Sequence, residues 1–271
     1  MDHAAYDPPH QVFTSKVSAV DGSNGHGQTG NGNDFCVFTT VRWDPMLMRS
    51  PENAAASCNH PAQLLWQLNT AVQQWVAKNP DQHVEALRLK HRVYADSRTA
   101  TEITPVPRVP LSQLFPSSFG EPDDAVRKDD WEVVLDSMPT EVSETTMYKT
   151  SKRYCYDRAR EAAGIQSYME RKEVLLWNDQ REVMDGSITS VYVWRNGRWV
   201  TPESMSGGQQ GTTRRWASQQ GLCVEASVKV KELKHGELMW LSNASKGYFR
   251  GRFVAPAANG DGVTEDHRSQ K

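Results

Sequence analysis

Tyr148-Lys149-Thr150-Ser151-Lys152-Arg153-Tyr154 divides the chain into two unlike halves. Ahead of it the sequence is irregular and poor in motifs. Behind it, to about residue 252, strand, turn and loop signals are dense. Lys149 follows a run of Ser143, Thr145 and Thr146 and precedes a helical pattern. A lysine at such a junction can face a cleft between two domains. There, desolvation or nearby positive charge lowers its pKa and makes it a nucleophile toward carbonyls. The competing reading of Lys149 alone is a solvated lysine near a helix start, and what lies downstream decides between the two.

Residues 153–163 favour helix, and Gly164 is a suitable stop. Glu173-Val174-Leu175-Leu176-Trp177 reads as a strand, and Asn178-Asp179-Gln180 as a turn. Val183 and Met184 start a return strand that runs into Asp185-Gly186-Ser187. Two further strands, 191–194 and 199–201, flank Arg195-Asn196-Gly197-Arg198, whose Asn-Gly pair predicts a hairpin. The glycine-rich stretch Ser206-Gly207-Gly208-Gln209-Gln210-Gly211 leads into Thr212-Thr213-Arg214-Arg215-Trp216, a helix start. Strands are expected at 224–230 and 237–243.

Upstream, Phe35 to Trp43 is rich in β-formers and ends at Asp44-Pro45. Leu64, Leu65, Leu68, Ala71, Val72, Trp75 and Val76 recur at helical spacing within 61–78, which Asn79-Pro80 closes. Leu87, Leu89, His91, Val93 and Ala95 alternate with Arg88, Lys90, Arg92 and Tyr94, giving a strand with one basic face, read as solvated. The proline-bearing segment 98–130 reads as loop, 131–135 as a short strand, and 136–147 as a polar boundary. Residues 21–33 are of low complexity. Their glycines lack the following Lys-Ser/Thr of a phosphate loop, so 1–33 is expected to be disordered.

A chain of 271 residues with a net charge of −2 has ample core and no pull toward polyanions. No apolar run matches a membrane span, and no secretory signal is visible at the N-terminus. Cys36, Cys58, Cys155 and Cys223 are dispersed, which argues against a zinc site or disulfide framework and for thiols in a reducing, cytoplasmic compartment.

Three features line up: Lys149, the acid Asp185 in a strand-turn 36 residues on, and Gly211-Thr212-Thr213 at a helix N-terminus. Free backbone N–H groups and the helix dipole favour a phosphate at the last. An aldehyde needs the lysine and a pyridinium nitrogen the acid. Together they answer the needs of pyridoxal 5′-phosphate.

The order resembles the class IV pyridoxal-phosphate enzymes: branched-chain and D-amino-acid aminotransferases and 4-amino-4-deoxychorismate lyases. The resemblance runs from about Tyr148 to Arg252. It rests on Lys149-Thr150-x-x-Arg153, on Met184-Asp185-Gly186-Ser187-Ile188-Thr189-Ser190-Val191, on Trp199-Val200-Thr201-Pro202, on Gly211-Thr212-Thr213-Arg214 and on Leu241-Ser242-Asn243-Ala244. Phe38 to Pro45, Leu114-Phe115-Pro116, Glu173 to Asn178 and Thr213 to Trp216 resemble the fungal aminodeoxychorismate lyases in particular.

The resemblance implies that Lys149 is the covalent anchor of the cofactor, with Lys152 the less favoured candidate. Asp185 would face the pyridine nitrogen, or be an ordinary turn residue. Thr212 and Thr213 would cradle the phosphate, and Asn243 and Ala244 would close its other side. Tyr154 would lie near the cofactor phenol oxygen, with Tyr156 a competitor. Arg42 would meet a substrate carboxylate or serve a structural ion pair. Two departures stand out. The family's usual Glu is replaced by Asp185, and its phosphate-binding His-x-x-Arg-Leu helix is not found between Trp66 and His83. The implied fold is α/β (α+β) in two domains. A smaller, shortened N-terminal α+β domain would span 34–142 and a C-terminal pseudo-barrel that binds the cofactor 143–256, with 257–271 a disordered tail. The implied activity is conversion of aminodeoxychorismate to 4-aminobenzoate and pyruvate, with a class IV transaminase or a non-catalytic relative as alternatives. The small-molecule substrate is the expected partner. Neither nucleic acid nor membrane is expected, and a homodimer is left open.

Overall fold

A computed structural model describes residues 35–44 and 59–256. The segments expected to be disordered, 1–33 and 257–271, lie outside the described residues.

The N-terminal part is a three-stranded antiparallel sheet in the order β1 (Cys36–Trp43), β2 (Ala86–Tyr94), β3 (Thr99–Val106). The alternation in β2 turns Leu87, Leu89 and His91 into the interior and leaves Arg88, Lys90 and Arg92 on the other face. Helix α1 (Asn59–Lys78) covers the apolar face, packing Leu68 and Val72 against Leu87 and Leu89. The Asn79 side chain ends the helix by donating to the Trp75 carbonyl. β3 falls within the stretch expected to be loop. It carries Pro105 and lies at the sheet edge, where proline is tolerated. A short helix, α2 (Leu111–Leu114), follows.

The second sheet has eight strands: β4 (Trp131–Leu135), β5 (Lys172–Trp177), β6 (Val183–Gly186), β7 (Ser190–Arg195), β8 (Arg198–Pro202), β9 (Val224–Ala226), β10 (Leu238–Asn243) and β11 (Gly247–Phe253). Their order is β6-β5-β4-β11-β10-β7-β8-β9, with β11–β4, β4–β5 and β8–β9 parallel. β4 was expected on the N-terminal side of a boundary near residue 142. Its pairing with β5 and β11 places it in the large sheet, so the two sheets part between Val106 and Trp131. Of the strand expected at 224–230, only β9 is strand, and a 3-10 turn at Val230–Glu232 follows. The β7–β8 hairpin turns on Asn196 and Gly197, both at positive φ, as the Asn-Gly pair predicts.

The sheet curls. Val183 N–H at one edge donates to Val228 O, and Glu182 bridges to Lys229, just beyond β9. This half-barrel encloses Val133, Leu175, Val191, Val193, Met239 and Leu241. Outside it, helix α4 (Tyr154–Ala162) lays Cys155, Tyr156 and Ala159 on Val174, Leu176 and Met184.

Candidate active site

The segment bearing Lys149 joins the two sheets. Helix α3 (Glu144–Met147), closed by a Ser143–Thr146 capping box, releases the chain in an extended conformation. That stretch adds to the free edge of β1: Phe38 N–H donates to Lys149 O, Ser151 N–H donates to Cys36 O, and Val37 bridges Thr150. Alternation then sets the Lys149 amine over the Phe38 ring, 5.3 Å from its centroid. Lys90 reaches the same ring from β2 at 4.5 Å. The Lys149 pKa is lowered to about 8, chiefly by burial and then by the charges of Arg153 and Lys90, against the pull of Asp185.

Asp185 lies on β6 opposite Leu176 and is 7% exposed. Burial pushes its carboxyl well above the ordinary carboxylate range, and Glu173 adds to that; Arg214, the Gly186 N–H and Lys149 act against it. Among the described residues no side chain hydrogen-bonds this carboxylate. The turn after it is fixed by Glu173, which is fully buried on β5. Glu173 accepts from the N–H groups of Val174, Ser187 and Ile188 and from the hydroxyls of Ser187 and Thr189. Arg153 donates to Ser187 O and Arg160 to Ser187 Oγ. Sequence reading named the strand of Glu173 but not its role. The signal was an acid heading an otherwise apolar strand.

The 206–211 loop packs beneath Asp185. A Cβ on Gly208 would lie 2.1 Å from Met184 O and 3.1 Å from Asp185 Cβ, so only glycine allows this approach. The loop delivers the N-terminus of helix α5 (Thr212–Gln219) with Gly211 as its N-cap. Thr213 is buried there. Its Oγ1 accepts from Ser242 Oγ at 2.8 Å, and its carbonyl accepts from the Tyr248 hydroxyl. Thr212 stands beside it, half-buried.

Tyr154, Arg42 and Asn243 have surroundings that bear on their expected roles. Tyr154 is 70% exposed, because the buried face of α4 is Cys155, Tyr156, Ala159 and Arg160. Tyr156 takes the inner position: its hydroxyl donates to Thr146 O and accepts from Gln209, with Arg153 over its ring. Its pKa is raised by burial and by Asp185. Arg42 donates to Ser245 O at 2.8 Å and Pro107 O at 2.7 Å, so its guanidinium ties β1 to two distant segments. Asn243 Oδ1 accepts from the N–H groups of Ser245 and Lys246, so its side chain shapes the β10–β11 turn, in which Ala244 follows.

The residues present fit pyridoxal phosphate. A buried lysine with a lowered pKa, a buried carboxylate lacking a side-chain donor among the described residues, and a helix N-terminus with a fixed threonine match aldehyde, pyridine nitrogen and phosphate. Helix α1 begins at Asn59, and its first turn reads His60-Pro61-Ala62-Gln63-Leu64. The sequence of this helix contains no His-x-x-Arg-Leu.

Comparison with known proteins agrees. The model of the amino-transferase class IV family matches residues 52–252. Aminodeoxychorismate lyase of Saccharomyces cerevisiae is 32% identical over 136 residues, 45% of this chain and 36% of that protein. A Schizosaccharomyces pombe protein provisionally described as the same lyase is 30% identical over 138 residues, 49% of this chain and 59% of that protein. The chain thus matches less than two thirds of the length of each of these relatives. A Mycobacterium tuberculosis protein described as a hypothetical aminotransferase and solved in its pyridoxal-phosphate-bound form shares the fold, with a TM-score of 0.52, 17% identity and coverage of 83% of this chain and 82% of that one. With its matched span, its curled sheet and its lysine at the sheet junction, the chain belongs to the class IV amino-transferase family, whose cofactor is pyridoxal phosphate.

Proposed function

We propose that this chain is a pyridoxal-phosphate-dependent lyase that converts 4-amino-4-deoxychorismate to 4-aminobenzoate and pyruvate. The observation that carries the reading is the Lys149–Asp185 pair at the junction of the two sheets, in a chain similar to two fungal proteins described as that lyase. When bound, the cofactor supplies an electron sink for charge developing on the substrate carbon.

The protein's own part is positioning and proton transfer. Lys149, with a pKa of about 8, can both take and return a proton near neutral pH. Asp185 would hold a proton on the ring nitrogen. Thr212, Thr213 and the first-turn N–H groups of α5 would hold the phosphate. The substrate carries carboxylates. With Arg42 committed to backbone carbonyls, Lys90 is the cation beside Lys149 suited to receive one. The shortfall of one arginine at the phosphate predicts weak cofactor binding, by about one to two powers of ten.

The test is incubation of the protein with aminodeoxychorismate and excess pyridoxal phosphate, with 4-aminobenzoate read by fluorescence. Equimolar pyruvate and 4-aminobenzoate without any keto acid is the expected result. Turnover only with an amino donor and a keto acid would make the chain a transaminase. Absence of product and of any cofactor spectrum in folded protein would leave a non-catalytic relative.

A further inference from the structure

We propose that Tyr192 is a positioning residue for phosphate recognition: acting through Ser242, it leaves the hydroxyl proton of Thr213 free for a phosphate monoester at the N-terminus of α5. The inference rests on the reading that this chain holds pyridoxal phosphate.

Tyr192, on β7, is completely buried. Its hydroxyl lies 2.9 Å from Ser242 Oγ on the neighbouring strand β10. Ser242 Oγ in turn donates to Thr213 Oγ1 at 2.8 Å. A serine hydroxyl has a single proton. That proton goes to Thr213, so Tyr192 is the donor in the bond to Ser242. Thr213 therefore accepts from behind and keeps its own proton. A hydroxyl that accepts one hydrogen bond donates a stronger one. The second phenol, Tyr248, is also buried and donates to the Thr213 carbonyl, which fixes the residue at its other end. Burial raises the pKa of both phenols and keeps them in the protonated form that can donate.

Without the Tyr192 hydroxyl, a lone pair of Ser242 is left open. The Thr213 proton can then turn inward to it, away from the ligand. The loss should be specific to the phosphate, because the chain of hydroxyls ends on Thr213 and, among the described residues, hydrogen-bonds neither Lys149 nor Asp185.

The experiment compares the affinity of the full chain for pyridoxal phosphate and for pyridoxal, which lacks the phosphate, by quenching of tryptophan fluorescence. It uses wild type, Tyr192→Phe and Ser242→Ala, with circular-dichroism melts to confirm folding. Tyr192→Phe should bind pyridoxal phosphate about tenfold more weakly while its affinity for pyridoxal is unchanged. Ser242→Ala should show a selective loss of the same sign, and it carries the test if Tyr192→Phe does not fold. Equal losses for both ligands, or none for pyridoxal phosphate, overturn the proposal. A wild type that does not prefer pyridoxal phosphate over pyridoxal overturns the cofactor reading itself, and that is read before any variant is compared.

Discussion

Lys149 owes its character to where its neighbours sit. Burial, Arg153 and Lys90 lower its pKa to about 8. The amine is therefore mostly neutral above that pH and mostly protonated below it. Labelling of the cofactor-free protein with an amine reagent, mapped by mass spectrometry, should show Lys149 reacting with a midpoint near 8. Exposed lysines titrate near ~10.4. Arg153→Gln should move the Lys149 midpoint upward, and a midpoint shared with the exposed lysines would contradict the assignment. Asp185 behaves in the opposite sense, since burial raises its pKa and its charge opposes folding at neutral pH. Asp185→Asn should therefore raise stability by about 1–3 kcal/mol in a denaturant melt while lowering turnover about a hundredfold or more. A variant that is neither more stable nor slower would show that the carboxylate has no part in the site. At this scale the sequence was readable where position follows from order along the chain, as in the placing of Lys149 beside β1, Asp185 on β6 and Thr213 in the first turn of α5. It was not readable where they depend on which way a side chain faces. Counting five residues on from Lys149 arrives at Tyr154, but helix periodicity buries Tyr156 instead.

At the scale of elements, the turn between β6 and β7 is built around Glu173. Its carboxylate oxygens accept five hydrogen bonds from backbone and hydroxyl donors. Glu173→Gln sets an amide N–H₂ against N–H groups and should cost about 2–4 kcal/mol. A chemical-denaturation series on the cofactor-free protein measures this, and a loss below about 0.5 kcal/mol would mean that the turn holds without it. Gly208→Ala should be damaging for a steric reason. Its methyl would meet Met184 O at 2.1 Å, so either the loop or β6 must shift. Cofactor affinity should fall more than stability does, because the loop ends at the N-cap of α5. The elements missed in the sequence have physical explanations. β3 contains Pro105 and is tolerated because it is an edge strand. β11 reads as Gly-Tyr-Phe-Arg-Gly-Arg-Phe, with arginines that look solvated. Both are in fact neutralised by Asp130 and Asp123.

At the scale of the whole molecule, Arg42 holds the small sheet to the loop after β3 and to the β10–β11 turn. Arg42→Met should remove about 1–3 kcal/mol of stability and weaken cofactor binding, since both sheets contribute to the site. Weakened substrate binding with unchanged stability would return Arg42 to a substrate role.

The order of the large sheet also bears on how the chain folds during synthesis. β11 is last of its strands in sequence yet lies between β4 and β10, joining β6-β5-β4 to β10-β7-β8-β9. Until Phe253 has left the ribosome, those two groups of strands have no ladder across their middle, and the free edges of β4 and β10 stay open to other chains. Because β4 and β11 lie more than 100 residues apart in sequence, their pairing closes a long loop and is expected to be the slow step. Between the emergence of Asn243 and that of Phe253 the two groups of strands can meet only at their far edges, where Val183 bonds Val228, and this is the period in which a chaperone would have most to shield.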